Sequence, residues 1–256
     1  VSPKPKKGPK IEDQYATAIP VGSAIAHSFN PDVAETCGDI VGEEMTRFGV
    51  HLWLAPALNI HRSILCGRNF EYYSEDPLLS GIMASAVTKG VQKHKGCGVT
   101  LKHFCANNQE YNRFRSNSCV SERALREIYL RGFERCIKES FPAAVMNSYN
   151  LLNGIHTSER EDLNTGVLRD EFGFDGLIMT DWTVMMRRMS DKDSVHRLLL
   201  PDMSAKAGSN VIMPGSKKDY KAVLKALRKG TLSRERAEVN ASWLIKTIRK
   251  LTGGVS

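Results

Sequence analysis

The sequence predicts an α/β fold, a (β/α)8 barrel of the TIM type that is incomplete at its N-terminus. Short apolar runs alternate with longer amphipathic segments, as they do in repeated βα units. The chain has 256 residues, close to the roughly 250 of one such barrel. The run Leu177–Trp182 follows two nearby glycines and ends in a carboxylate and an indole. This pattern is typical of a strand buried on both faces.

The individual elements follow in chain order. Residues 1–16 are predicted to be a flexible basic leader, and residues 17–256 to be the barrel domain. A helix begins at Pro31, because Asn30 can cap it and proline suits the first helical position. The other predicted helices are Pro77–His94, Ser121–Ser140, Leu163–Phe172, Lys217–Lys229 and Ser233–Leu251.

The predicted strands are fewer than a complete barrel needs. Five are clear and a sixth is possible, whereas eight βα units close a barrel. We therefore expect the missing part at the N-terminus. The clear strands are His51–Leu58, Gly98–Phe104, Ala143–Ser148, the run ending at Asp181, and Ser209–Met213, and the possible one is Ala18–Val21.

Composition predicts a globular protein without a membrane or metal partner. Hydrophobic residues make up 41% of the chain and charged residues 25%, an ordinary balance for a packed core. No apolar run approaches the roughly 18 to 20 residues that span a bilayer, and no signal peptide is visible. The six cysteines are scattered, without a CxxC pair or zinc-type spacing. We expect them to stay reduced, which predicts a cytoplasmic protein.

The net charge of +8 raises the hypothesis of an anion or nucleic-acid binder. Residues 1–10 alone carry four lysines and no acid, and the remaining excess is spread along the chain. No basic run is interleaved with aromatic residues, as a nucleic-acid platform requires. A solvated surface without a nucleic-acid partner is the favoured interpretation, and the alternative predicts steep salt dependence of binding.

Polar side chains follow several predicted strands and should lie on one rim of the sheet, because the carboxyl ends of parallel strands share an edge. They are Arg68, Lys102, His103, Tyr149 and Asp181. Charged and aromatic groups of this kind suit a sugar, whose hydroxyls they bind and whose ring face they cover. Each also has a structural alternative. Asp181 could cap a helix, Arg68 could form a surface ion pair with Glu71, Lys102 could be a solvated strand end, and Tyr149 could be a core-edge aromatic.

A set of motifs makes the pattern specific. In chain order they are Gly67-Arg68-Asn69-Phe70-Glu71, Tyr73-Ser74-Glu75-Asp76-Pro77, Lys102-His103-Phe104, Met146-Asn147-Ser148-Tyr149-Asn150, Met179-Thr180-Asp181-Trp182 and Ile212-Met213-Pro214-Gly215. Together they resemble the barrel domain of glycoside hydrolase family 3, especially its bacterial β-glucosidases. The resemblance covers roughly residues 17–251.

The resemblance implies roles for particular residues. It makes Asp181 the nucleophile, and it implies that Arg68, Lys102, His103 and Tyr149 bind the sugar. Met146 and Trp182 would line the same pocket, and Arg113 would make a polar contact at its edge. No metal or organic cofactor is implied. An aspartate near Lys and Arg should stay ionised at neutral pH, because opposite charges favour its charged form.

The sequence also departs from the family pattern. The stretch nearest to the family's Asp-Gly-Pro motif is Lys7-Gly8-Pro9, which has no acid and need not be its counterpart, and Asn210 stands where the family usually has Asp. The family's general acid usually lies on a separate α/β sandwich domain, which we expect in cis or in trans. The loop Cys105–Glu110 lacks the Asp-His pair of the β-N-acetylglucosaminidase branch. This absence favours the glucosidase branch.

Two functional hypotheses follow from the resemblance. The first is a retaining hydrolase of terminal β-D-glucosides or related β-glycosides, which would form a covalent glycosyl-aspartate intermediate and bind a β-linked glucoside or oligosaccharide. The alternative is a catalytically degenerate, sugar-binding remnant of the same fold. The absent acid, the absent Asp-Gly-Pro motif and the basic leader support this alternative.

Overall fold

A computed structural model describes residues 15–183 and 196–253 of the chain. Its centre is a four-stranded parallel sheet with the strand order β1–β2–β4–β7. These strands are β1 Leu52–Trp53, β2 Gly98–Phe104, β4 Ala144–Asn147 and β7 Leu177–Met179. A separate sheet of three short strands is formed by β3 Asn117–Ser118, β5 Leu151–Leu152 and β6 Ile155–His156.

Helical segments separate the central strands along the chain. The helices are α1 Gly22–His27, α2 Pro31–Phe48, α3 Pro77–Gln92, α4 Glu122–Ala124, α5 Arg131–Ser140, α6 Pro201–Lys206, α7 Lys217–Lys229 and α8 Arg234–Thr252. Leu125–Tyr129 is a π-helical turn between α4 and α5, Thr157–Glu159 is a 3₁₀ turn, and Asp162–Glu171 is π-helical.

The predicted fold class is confirmed. Successive parallel strands lie side by side in chain order, with helix between them, as in a (β/α)8-type barrel. Val211 adds a further parallel position through an isolated bridge to Met179. The described residues thus supply five neighbouring strand positions of the eight in a complete barrel.

Most predicted elements are confirmed, and their end signals act as expected. The Asn30 side chain accepts from Asp32 N and caps α2, and Gly49 ends that helix in the left-handed conformation. Ser233 caps α8 in the same way, by accepting from Arg236 N. Of the predicted leader, residues 1–14 lie outside the described residues.

One predicted strand is wrong, and another is reduced to a single bridge. Ala18–Val21 forms neither helix nor strand, and its largely exposed residues include Pro20, which has no amide hydrogen to donate. Ser209–Met213 contributes only the bridge at Val211. Here a side chain replaces part of the ladder, because Ile178 N donates to Asn210 Oδ1 at 2.8 Å.

The predicted strand His51–Leu58 is shortened to β1 by Pro56, which interrupts regular pairing. Its direction nevertheless continues, because Lys102 N donates to Pro56 O at 3.1 Å and Leu58 N donates to Lys102 O at 2.9 Å. The chain therefore stays beside β2 as far as the start of the long loop that carries Arg68.

β2 contains an irregularity at its carboxyl end. Leu101 pairs with Val145 and Phe104 with Asn147, so β2 advances three residues while β4 advances two. An extra residue of this kind bends a strand and changes the direction of its side chains. Lys102 and His103 lie within the irregularity, next to the edge where the site forms.

The core has two layers. The larger cluster packs the outer face of the sheet against α2, α3 and α5, and the second lies on the inner face between β4, β7 and Leu244 of α8. Helices α2 and α3 approach closely at Gly38 and Gly90. A methyl group on these glycines would lie 2.2 Å from Val87 O and 2.1 Å from Glu35 O, respectively.

Arg169 and Asn210 form a partly buried network near the beginning of β7. Arg169 Nη1 donates to two backbone carbonyls at 2.7 Å each, and its Nη2 donates to Asn210 Oδ1 at 3.1 Å. Its guanidinium also lies 4.1 Å from the centroid of the Trp243 ring. Burial lowers the pKa of Arg169 to about 10, so the group remains charged at neutral pH. Asn210 thus serves this cation as a neutral acceptor.

The structure also bears on disulfide bonds and on membrane-spanning helices. All six cysteines are free of disulfides, and only Cys119 is exposed. Within residues 15–183 and 196–253, no helix has both the length and the hydropathy needed to traverse a bilayer.

We predict that Asn210→Ala lowers the free energy of unfolding by about 1–3 kcal/mol, because Arg169 Nη2 and Ile178 N then lose a partly buried acceptor. Urea unfolding measures the difference. Gln109→Ala, which truncates an exposed amide, is the control and should stay within about 0.5 kcal/mol of the wild type. Equal stability of the two variants would contradict the structural role of Asn210.

Candidate active site

Polar side chains from several strand ends meet at one edge of the central sheet. Lys102 and His103 belong to the end of β2, Tyr149 follows β4, and Asp181 follows β7. Arg68 joins them from the loop between β1 and α3, through an acidic residue that it shares with Lys102. The structure thus brings together the five residues that the sequence analysis assigned to one rim.

Asp181 is buried at this edge, with 8% of its surface exposed. Its Oδ1 accepts a hydrogen bond from Trp182 N at 2.7 Å. Its Oδ2 has no hydrogen-bond partner within the described residues and lies 3.8 Å from His103 Nε2. In the alternative interpretation, Asp181 would cap a helix running into residues 184–195, which lie outside the described residues.

The segment around Met213 holds the Asp181 turn from the other side. Met213 N donates to Thr180 Oγ1 at 3.0 Å, and Thr183 N donates to Met213 O at 2.8 Å. Thr180 Oγ1 in turn donates to the Asp181 carbonyl at 2.9 Å. The backbone that carries the carboxylate is therefore fixed on both sides of Asp181.

Burial determines the protonation energetics of Asp181. It raises the pKa of the carboxyl group above its ordinary value, while the Trp182 amide, the Tyr149 hydroxyl, Arg68 and Arg113 all act to lower it. The sequence analysis considered only the neighbouring cations, which do act to lower this pKa, and burial is the opposing effect that it left out. Desolvation has the larger effect, because it disfavours the charged form wherever water is excluded.

His103 is a neutral imidazole. Its pKa lies well below the ordinary value because burial disfavours the cation, and the charges of Arg68, Lys102 and Arg113 reinforce this effect. Asn59 holds the backbone of His103 on both sides, accepting from its N and donating to its O at 2.8 Å each. The contact between His103 and Asp181 is therefore one between a neutral ring and a carboxylate.

Glu71 joins two cations of the site. Arg68 Nε lies 2.5 Å from Glu71 Oε1, and Lys102 Nζ lies 3.5 Å from Glu71 Oε2. All three side chains are at most one quarter exposed, so a surface ion pair and a solvated lysine are both excluded. Burial lowers the pKa of Lys102, with Arg68 adding to the effect and Glu71 opposing it. For Arg68 the pull of burial is overcome by the Glu71 hydrogen bond and nearby negative charge, which raise its pKa.

Arg113 contacts both an acidic residue and an aromatic residue at this edge of the sheet. Its Nη1 lies 2.6 Å from Glu110 Oε2, and its guanidinium lies 5.1 Å and 5.0 Å from the ring centroids of Phe114 and Tyr149. Such cation–π contacts are attractive when partly desolvated. Arg113 thus connects the loop after β2 to the aromatic wall beside Asp181.

Tyr149 and Trp182 form that wall. The Tyr149 ring packs edge-on against Phe114 with the centroids 4.6 Å apart. Its hydroxyl faces both the Trp182 carbonyl and the Asp181 carboxylate. It donates to the Trp182 carbonyl at 3.2 Å and lies close enough to the Asp181 carboxylate to interact with its charge. The Trp182 side chain is 43% exposed and so borders the open side of the site.

Met146 lies deeper. It is buried in the inner-face apolar cluster, together with Ala144, Leu177 and Met179. The described contacts place it in the packed interior next to the site, and its lining of a sugar pocket stays a prediction.

Sequence reasoning missed several residues that organise the site. Asn59 and Asn107 belong to no quoted motif, and the single available signal is that Asn59 directly follows a predicted strand. Tyr72 stands between two quoted motifs, yet nothing in the sequence shows that its hydroxyl lies 3.4 Å from His103 Nδ1. Such contacts depend on side chains from separate loops and carry no periodicity.

The described part of the chain contains no group of three or more His, Cys, Asp or Glu side chains that could hold a metal ion. Two of the acids at this edge, Glu71 and Glu110, are instead paired with lysine and arginine side chains. What the arrangement offers is one buried carboxylate, several cationic and neutral hydrogen-bond donors, and an aromatic wall.

Comparison with known proteins identifies a family. The sequence profile described as "Glycosyl hydrolase family 3 N terminal domain" matches residues 8–246. Beta-glucosidase A of Butyrivibrio fibrisolvens is 50% identical over 166 residues, which are 65% of this chain and 20% of that protein. An exo-alpha-(1->6)-L-arabinopyranosidase of Bifidobacterium longum is 40% identical over 241 residues, 94% of this chain and 30% of that protein.

Solved structures agree with the sequence matches. Beta-glucosidase 3B from Thermotoga neapolitana, in complex with glucose, superposes with a TM-score of 0.85 at 42% identity. The match covers 96% of this chain and 34% of that one. The chain therefore spans about a third or less of the length of these relatives.

The neutral state of His103 predicts a pH dependence of stability. The unfolded imidazole has a pKa of about 6.5, so below that pH the unfolded chain binds a proton that the folded chain resists. The free energy of unfolding should therefore fall as the pH drops from about 6.5 to about 5, by up to about 1.4 kcal/mol per pH unit.

Urea unfolding across this range measures that slope. His103→Gln should flatten it, whereas His27→Gln, which removes an exposed imidazole, should leave it as in the wild type. An unchanged slope in His103→Gln would mean that His103 is not held neutral in the folded chain.

Proposed function

The chain belongs to glycosyl hydrolase family 3 as an N terminal domain, and on this premise we propose that it carries the nucleophile of a retaining glycosidase. The substrates proposed are terminal β-D-glucosides or related β-glycosides. The observation that carries the proposal is Asp181, a buried carboxylate at a strand end, surrounded by donors suited to sugar hydroxyls. Its second oxygen accepts no hydrogen bond from the described residues.

The proposed chemistry has two steps. In the first, an Asp181 oxygen attacks the anomeric carbon while the bond to the leaving oxygen breaks, and an acid protonates that oxygen. In the second, the conjugate base of that acid removes a proton from water, and the water oxygen attacks the anomeric carbon of the glycosyl-aspartate. The sugar is released and the Asp181 carboxylate is restored. Because burial raises the pKa of Asp181, the acidic limit of the first step should lie above the ordinary aspartate value.

The surrounding side chains have roles that match their chemistry. Arg68 offers a fork of N–H donors, Lys102 offers an ammonium group, and His103 offers one ring N–H, all suited to hydroxyl oxygens. Tyr149 adds a hydroxyl next to the carboxylate.

The remaining assigned residues shape the pocket. The half-exposed Trp182 would cover the apolar face of the sugar ring, and Met146 would close the pocket from below. Arg113 would contact the substrate at the edge of the site, next to the Tyr149 ring.

The general acid is the part that the described site does not supply. Glu71 pairs with Arg68 and Lys102, and Glu110 pairs with Arg113. A carboxylate paired with a cation is a poor proton donor, because the cation favours its charged form. We propose that the acid comes from an α/β sandwich domain that meets the barrel in cis or in trans. General acid catalysis typically contributes about a hundredfold to ten-thousandfold, so the isolated chain should be slow on ordinary substrates.

A second candidate function rests on the same observation. If no acid reaches Asp181, the fold remains a sugar-binding remnant with the same donors and aromatic wall. It predicts a calorimetric sugar-binding signal that survives Asp181→Asn, without any covalent product.

The organisation proposed for the chain is a barrel domain over residues 17–256, preceded by a basic leader over residues 1–16. Its six free cysteines favour a reducing compartment such as the cytoplasm. A β-linked glucoside or oligosaccharide is the partner proposed for the site.

The test is intact-mass measurement after incubation with a dinitrophenyl 2-deoxy-2-fluoro-β-glucoside. This leaving group needs little protonation, and the fluorine slows release of the intermediate, so an absent acid does not hide the nucleophile. We expect a mass increase of one fluorosugar, located on Asp181 by peptide mapping.

Two aspartate variants make the result specific. Asp181→Asn should abolish the adduct, whereas Asp175→Asn, which changes a half-exposed aspartate paired with Lys246, should retain it. A wild-type chain that binds the sugar without an adduct would contradict the nucleophile and support the remnant. An adduct that persists in Asp181→Asn would contradict the assignment of Asp181.

A further inference from the structure

Tyr72 reaches His103 from the side opposite Asp181. Its side chain is fully buried, and its hydroxyl lies 3.4 Å from His103 Nδ1 and 3.1 Å from Asn107 Nδ2. The other ring nitrogen of His103, Nε2, faces Asp181 Oδ2 at 3.8 Å. Each ring nitrogen therefore has a different neighbour. Nδ1 faces a hydroxyl, which can donate or accept a hydrogen bond, and Nε2 faces a carboxylate, which can only accept one.

The orientation of Asn107 fixes one end of this chain of contacts. Its Nδ2 also donates to Glu110 Oε1 at 3.3 Å, and Glu110 is ion-paired with Arg113 at 2.6 Å. A carboxylate accepts hydrogen bonds and donates none, so the amide nitrogen of Asn107, rather than its oxygen, must face Glu110. The same NH₂ group then donates to the Tyr72 hydroxyl oxygen.

The hydrogen of the Tyr72 hydroxyl then has one acceptor within the described residues, His103 Nδ1. If Nδ1 carried the proton instead, it would donate to Tyr72, and the Tyr72 hydrogen would be buried without an acceptor. The lone pair of Nε2 would at the same time face the Asp181 carboxylate. Both arrangements are costly in a buried site, so the two ends of the chain favour the same proton position.

We propose that Tyr72 is a positioning residue, which holds His103 as the Nε2–H tautomer with that N–H directed toward Asp181. The pKa of His103 supports this, because burial and the nearby cations keep the ring neutral and leave a single proton to place. Asn107 and Glu110 support Tyr72 in turn. A hydrogen-bonded chain thus runs from Arg113 to the edge of the Asp181 carboxylate.

The consequence for the reaction rests on the proposed function. At 3.8 Å the Nε2–H group is too far from Oδ2 for a normal hydrogen bond, so it remains available to a substrate hydroxyl oxygen. The opposite tautomer would present a lone pair there and would accept rather than donate. Tyr72 would thereby determine whether His103 Nε2 donates a hydrogen bond to a substrate hydroxyl or accepts one from it.

Two-bond ¹H–¹⁵N correlation spectra of the full chain, labelled at histidine, distinguish the two neutral tautomers directly. The His103 signals are identified by their loss in His103→Gln. We expect the Nε2–H pattern in the wild type and its loss, or a mixture of both patterns, in Tyr72→Phe. An Nδ1–H pattern in the wild type would overturn the proposal without any variant.

Tyr73→Phe is the matched control, because it removes the hydroxyl of a neighbouring buried tyrosine that packs in the main apolar cluster. It should keep the wild-type pattern, and an equal loss there would overturn the specific role of Tyr72. Asn107→Ala serves as a second variant, and it should weaken the Nε2–H preference while keeping the phenol. An unchanged preference in both Tyr72→Phe and Asn107→Ala would also overturn the proposal.

The spectra need no turnover, so this result and the covalent-labelling result are independent. An Nε2–H pattern in a chain that forms no fluorosugar adduct would support the tautomer and contradict the nucleophile. For the catalytic consequence, Tyr72→Phe should slow labelling mainly in the rate constant of inactivation, with a smaller change in reagent affinity. A labelling rate equal to that of Tyr73→Phe would overturn that consequence.

Discussion

The common register of β2, β4 and β7 is the constraint on which the site depends. Leu101, Val145 and Ile178 lie at one level across the three strands, so the residues that follow them emerge at one edge. A slip of one residue would turn every side chain of a strand to the opposite face. The register is held because both faces of the sheet are packed with apolar side chains. Lys102 and His103 lie within the irregularity of β2, and His103 Nε2 comes within 3.8 Å of the Asp181 carboxylate that follows β7.

Charge burial is the second constraint, and it follows from the first. Charged groups that leave water must be paired if the fold is to remain stable. Glu71 and Glu110 meet that requirement for the cations of the site. Asp181 differs from both glutamates. The basic side chain within 4 Å of it is His103, which is neutral, and its Oδ2 accepts no hydrogen bond within the described residues. A carboxylate oxygen that accepts no hydrogen bond keeps its lone pairs available, which is the property that the proposed nucleophile needs.

The sequence predicted local structure well where the signal is local. Asn30 caps its helix as expected, the last helix begins next to Ser233 as predicted, and β2 has the predicted bounds Gly98–Phe104. The prediction failed where a side chain competes with the backbone, as Asn210 does at the predicted last strand. The strand-end residues of the site were predictable because parallel topology places them together. The contacts of Tyr72 and Asn59 with His103 were not, because they depend on the folding of loops whose sequence has no period.

The central claim is that strand register buries Asp181 deeply enough for desolvation to outweigh the surrounding cations. The most direct measurement is a ¹³C NMR titration of the aspartate carboxyl carbons, with Asp181 identified by its absence in Asp181→Asn. The account predicts a pKa for Asp181 above the ordinary aspartate value of about 3.9, and a further rise in Arg68→Met. A pKa at or below that value would mean that the carboxylate is solvated or tightly paired, and it would contradict the account.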